Sequence, residues 1–83
     1  MKIEVTEDDI KNGKPANCRE CPIAQAIKRE FCTTFANVGM LEIEYAVPGL
    51  PVGFRHSTPP AARNFIDRFD LGLSVKPFTL ELE

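Results

Sequence analysis

The order of apolar patterns along this chain predicts an α+β domain of the ferredoxin-like split type: strand, helix, strand, strand, helix, strand, with one short extra helix after the first strand. Three observations predict it. Two stretches, Pro22 to about Cys32 and Thr58 to Gly72, carry apolar residues at helical spacing and open next to a proline. Four others carry apolar residues at alternate positions, as half-buried strands do. Between two of those, Pro48-Gly49 supplies the turn of a hairpin, because proline presets one central residue and glycine accepts the positive backbone angle of the next. The order implies a four-stranded antiparallel sheet, 4-1-3-2, with both main helices on one face and the other face open to water.

Each element has its own local cause. Met1-Lys2-Ile3-Glu4-Val5 alternates apolar and charged residues and forms the first strand. Thr6 caps a short helix whose first turn, Glu7-Asp8-Asp9, sets carboxylates against the positive end of the helix dipole, with Asp9 in the capping-box position. Gly13 is expected to stop that helix in the left-handed conformation, and Lys14-Pro15-Ala16-Asn17 is a loop. In the first main helix Ile23, Ile27 and Phe31 recur at four-residue steps beside Ala24 and Ala26, with Gln25, Lys28 and Arg29 opposite. Pro22 suits its first position, where a missing amide hydrogen is no loss, so Cys21 becomes the N-cap.

After a loop at Thr33-Thr34, Val38 to Val47 reads as the longest strand, with Leu41, Ile43, Tyr45 and Val47 on one face and Glu42, Glu44 and Ala46 on the other. Val52 to about Ser57 returns, with Val52, Phe54 and His56 in the buried phase and Gly53, Arg55 and Ser57 in the open one. Thr58 is expected to cap the second main helix, which buries Ala62, Phe65, Ile66 and Phe69 and stops at Gly72. Ser74 to Glu83 reads as the last strand, with Phe78, Leu80 and Leu82 inward, and Pro77 pushes it to a sheet edge because proline cannot donate to a ladder. The second edge is then the long hairpin strand carrying Glu42 and Glu44. This order sets Arg55 between Glu4 and Glu44, the opposite-charge pairing that neighbouring strands favour.

Eighty-three residues make a single domain, 1–83, which buries only about 60 to 65% of its unfolded surface. Neither a signal-peptide pattern nor an apolar run of spanning length is present, which predicts no membrane partner. The net charge of -2 offers no global attraction for nucleic acid. The open sheet face reads Lys2, Glu4, Arg55 and Ser57, with no aromatic rings for bases to stack on, so nucleic-acid binding through the sheet is not expected. Three cysteines, an odd number, fit a reducing cytoplasm better than a disulfide scaffold.

The pair Cys18-Arg19-Glu20-Cys21 is where chemistry competes with architecture. A zinc site would need Cys18, Cys21, Cys32 and His56, the only cysteines and histidine of the chain, yet Cys32 lies a whole helix away, roughly 15 Å at 1.5 Å rise per residue. A redox pair would place its first cysteine at the helix start, whereas Pro22 puts the start after both; Cys21, nearest the dipole, is expected to be a somewhat acidic thiol. The plainest reading makes Cys18 a loop residue, Cys21 a cap and Cys32 an apolar filler. His56 shares its phase with Val52 and Phe54 and reads as a rim histidine. There is no nucleophile elbow and no glycine-rich phosphate loop. No enzyme and no cofactor are expected.

Taken together, Ile3-Glu4-Val5-Thr6-Glu7-Asp8-Asp9-Ile10 with Gly13, the Cys21-Pro22-Ile23-Ala24 helix start, Phe65-Ile66-Asp67-Arg68-Phe69-Asp70 and the closing Val75-Lys76-Pro77-Phe78 resemble a family of short uncharacterised proteins of bacteriophage and prophage genomes. The resemblance implies a non-enzymatic accessory protein that binds a host protein in the host cytoplasm, including as an inhibitor of an antiviral defence system. Two surfaces would suit that: the hairpin with Leu50 exposed at its Pro-Gly-Leu-Pro tip, and the charges Glu42, Glu44 and Arg55. An exposed edge strand also leaves a homodimer open. The alternatives are a small zinc-stabilised domain and a pocket protein that sequesters a small nucleotide-like ligand.

Overall fold

In the computed structural model of the chain, which describes residues 1–82, eight elements follow one another. They are β1 (Lys2–Val5), α1 (Glu7–Asn12), α2 (Pro22–Phe31), β2 (Ala36–Val38), β3 (Glu42–Ala46), β4 (Gly53–Ser57), α3 (Pro60–Asp70) and β5 (Phe78–Glu81). The α+β class holds. The single four-stranded sheet does not: β1 pairs only with β5, and β2, β3 and β4 form a separate antiparallel sheet in that order. Alternation fixes which side chains share a face, but it does not say which backbone edges meet, and the expected ladder between β1 and β4 is not made.

What joins the sheets is α2, which packs on both β1 and β2. Ile23, Ala24, Ala26 and Ile27 are fully buried along that helix, and one hydrophobic cluster runs from Ile3, Val5 and Leu80 of the first sheet to Val38, Ile43 and Tyr45 of the second. Apolar burial near 25 cal/mol per Å² makes this cluster the main favourable term of folding. A row of stacked rings, Phe31 on Tyr45 on Phe54, carries the packing outward from α2 across β3 to β4.

The long strand read from Val38 to Val47 holds only the last residue of β2, a turn, and β3; the rest of β2, Ala36 and Asn37, lies before it. Between β2 and β3 Gly39 turns the chain, its amide donating to the Glu42 carbonyl at 2.9 Å, and a Cβ there would stand 3.2 Å from that oxygen. The turn leaves Leu41 80% exposed rather than inward. It also makes β3 the central strand of its sheet, so Glu42 and Glu44 are not on an edge; the edges are β2 and β4. Arg55 still meets Glu42 and Glu44, at 3.6 and 3.7 Å, but Glu4 lies on the other sheet, where it accepts from the Thr79 hydroxyl at 2.7 Å.

Most helix boundaries form as expected, some by a different device. Thr6 and Asp9 make the full capping box of α1. Gly13 is extended (φ -73) rather than left-handed; its missing side chain is needed because a Cβ would sit 2.5 Å from Pro22 Cδ. Cys21 caps α2, its Sγ accepting from the Ala24 amide at 3.4 Å, and Cys32 closes the helix in the left-handed region at φ 50. Thr58 does not cap α3. Its hydroxyl donates instead to the Gly39 carbonyl at 2.7 Å, and Pro59 stands at the cap position with no side-chain hydrogen bond. Gly49 and Gly72 take the positive angles their turns require, φ 88 and 78.

Candidate functional site

The cysteines resolve into architecture. Cys18 and Cys32 are exposed, so Cys32 is not the apolar filler expected but the left-handed residue that ends α2; Cys21 is buried, and all three are free. Burial pushes the Cys21 thiol above its ordinary pKa, outweighing the opposing hydrogen bonds from the Ala24 and Ile23 amides. The expected acidic thiol is therefore corrected: a helix start lowers a thiol pKa only where desolvation does not win. Cys18 belongs to a loop whose carbonyl accepts from the Val38 amide at 2.8 Å, tying that loop to β2. His56 sits on β4, half-buried, with its Nε2 3.1 Å from the Tyr45 hydroxyl and its ring stacked on the tyrosine. Among the described residues no three His, Cys, Asp or Glu side chains converge as metal ligands would, so Cys18, Cys21, Cys32 and His56 are not gathered into a site.

The partner-binding candidates lie on the β3–β4 hairpin. Leu50 is 51% exposed at the tip, where its amide donates to the Val47 carbonyl at 3.1 Å to close the turn. Beside it Val52 is 63% exposed and Phe54 38% exposed, although both were expected in the buried phase. They are exposed because, among the described residues, no element packs over the outer side of β4; Phe54 stacks on Tyr45 and stays partly open to water. The Thr58 amide donates to Leu41 on the β3 side, and the register pairs His56 with Ile43 and Phe54 with Tyr45. Antiparallel alternation then turns the amides of Gly53, Arg55 and Ser57 away from β3, with no strand of the described residues opposite them. Glu42, Glu44 and Arg55 form an exposed charge cluster on the hairpin, already paired within itself.

A feature that the sequence did not disclose is a cleft of about 750 Å³ where the β1–β4 ladder was expected. Met1, Lys2, Glu81 and Leu82 of the first sheet form one wall. Arg55, His56 and Ser57 of β4 form the other, and Thr58 to Pro60 with Arg63 of α3 form the end. It was hidden because it exists only through the failure of two strands to pair. A shallower hollow of about 420 Å³ lies between α3 and the segment before β5, over Phe65, Val75 and Phe78. No helix among the described residues is long and apolar enough to cross a membrane. Comparison with protein-family models, with curated proteins and with solved structures found no match.

Proposed function

We propose that the chain is a small non-enzymatic accessory protein of the phage type that acts in the host cytoplasm by binding a host protein through its β3–β4 hairpin. The observation that carries this reading is the free outer edge of β4, flanked by exposed Leu50, Val52 and Phe54. An unpaired strand edge is a template for another chain, and soluble proteins usually blunt it with charge, proline or a covering loop. Here the tip half of the edge is apolar, which suits strand addition with side-chain anchors. A host protein of an antiviral defence system is the partner that the family resemblance suggests, and self-pairing of β4 into a homodimer is the competing occupant of the same edge.

The test is affinity capture from lysate of a susceptible host, run in parallel with wild type and with a Leu50→Glu/Val52→Glu double variant. The expected result is one host protein held in stoichiometric amount by wild type and lost by the variant. Equal capture by both forms places the binding surface elsewhere, and a dimer by analytical ultracentrifugation that the variant abolishes favours self-pairing.

A further inference from the structure

We propose that the cleft between the two sheets is a binding site for a nucleoside phosphate, a site distinct from the hairpin tip that shares the Arg55–Ser57 part of the β4 edge with the partner-binding surface but does not rest on that reading. The charge of its walls is the first ground. The chain as a whole carries -2, yet the cleft is lined by Lys2, Arg55 and Arg63 against a single carboxylate, Glu81. The Lys2–Glu81 pair is long, 3.8 Å, and both side chains are well exposed, so little of the lysine charge is spent there. Arg55, already paired with Glu42 and Glu44, adds little free charge, so Lys2 and Arg63 are the cations that count. Among the described residues Arg63 has no carboxylate partner; its Nη1 donates to the Thr58 carbonyl at 3.0 Å, which holds the guanidinium at the end of the cleft. Guanidinium groups suit phosphate because their parallel donors match its oxygens.

Backbone donors add to this wall. The amides of Arg55 and Ser57 point off the free edge of β4, and both residues line the cleft. Because Thr58 bonds Gly39 instead of capping α3, the first-turn amides of that helix also have no side-chain acceptor beside the cleft.

Size and lining decide between a bare anion and a larger one. A volume near 750 Å³ falls in the range of small-molecule sites and far exceeds what one phosphate fills. His56, Pro59 and Pro60 supply flat and apolar surface beside the cations, the environment a base and ribose need.

The probes are ADP, AMP, adenosine and inorganic pyrophosphate, titrated into the isotopically labelled wild-type chain by NMR and calorimetry at low salt. The expected result is saturable one-to-one binding of ADP with Kd below about 1 mM, weaker binding of pyrophosphate, and no saturation by adenosine. The amides of Lys2, Arg55, Ser57 and Arg63 should shift. Arg63→Gln and Lys2→Gln should each weaken ADP by about tenfold, as loss of a charge-assisted contact does, while Lys11→Gln on α1 leaves it unchanged. No saturable binding of ADP or pyrophosphate to wild type overturns the proposal, and so do shifts centred outside the cleft or an equal loss in Lys11→Gln. Pyrophosphate binding as tightly as ADP overturns the nucleoside half of it.

Discussion

The N-terminal third and the β3–β4 hairpin are built on opposite plans. In the first, every polar group near the core is tied. Asp9, only 5% exposed, accepts from the Thr6 amide and hydroxyl and from Arg29, and Arg29 also donates to the Glu4 carbonyl, so α1, α2 and β1 are fastened by one carboxylate. In the second, β4 is held on one side by β3 and left open on its other edge and on most of both faces. The contrast teaches where stability and recognition reside. A small domain with a limited core concentrates its cross-links where the helices meet, and this leaves the hairpin free to be contacted without unfolding anything.

Substitutions should split along that line, and the largest effect belongs to α2. Ile27→Ala opens a cavity among fully buried neighbours and should cost about 3 kcal/mol, read as the urea midpoint at unchanged slope. Val52→Ala on the exposed strand flank should stay within about 0.5 kcal/mol of wild type. Comparable losses at the two positions would break the comparison outright.

Asp9→Ala comes next. It removes the side-chain half of the capping box that Asp9 supplies and the anchor of Arg29 together, and should cost about 2 kcal/mol. Gly13→Ala forces a methyl against Pro22 between α1 and α2 and should cost about 1 to 3 kcal/mol, although the backbone angle there is one that alanine readily adopts. A neutral Gly13→Ala would mean that the α1–α2 junction is looser than described.

The smallest effect sharpens the account of the cysteines. With a thiol reagent at neutral pH, Cys18 and Cys32 should react quickly and Cys21 only slowly, giving two fast equivalents and one slow one. Burial raises the folded-state pKa of Cys21 above that of the unfolded chain. Its contribution to stability is therefore fully present below the ordinary thiol value near 8.5 and is lost as pH rises through the folded value. Urea unfolding at about pH 7 and about pH 9.5 should show that loss in wild type. Tyr45, also raised by burial, contributes a fall of the same sign, so the cysteine share is the part that Cys21→Ala removes.

How much of this was legible in the chain follows from the range of each interaction. The capping box at Thr6 and Asp9, the Cys21–Pro22 start of α2, the Pro48-Gly49 turn and the buried stripe of α3 are set by residues within a few positions of one another. All of these read correctly. The errors lie where distant segments decide. Thr58 has the residue type of a cap, but the Gly39 carbonyl nineteen positions earlier takes its hydroxyl. Gly39 itself was a readable signal, since a glycine inside an alternating run marks a bend. The pairing of β5 with β1 alone, and the cleft that follows from it, had no local mark at all. Of the hairpin candidates, Leu50 stands exposed at the tip and Glu42, Glu44 and Arg55 cluster as charges, whereas Val52 and Phe54 were assigned to a core that never covers β4.

Amide hydrogen exchange of the free protein tests the open edge of β4 most directly. The account predicts that the outward amides of Gly53, Arg55 and Ser57 exchange at rates close to those of loops, while the amides of Phe54 and His56, bonded to β3, are slower. Those of Ile27 and its neighbours on α2 should open only with global unfolding. Uniform protection along all of β4, equal to that of α2, would show that a strand covers this edge in solution and would contradict the account.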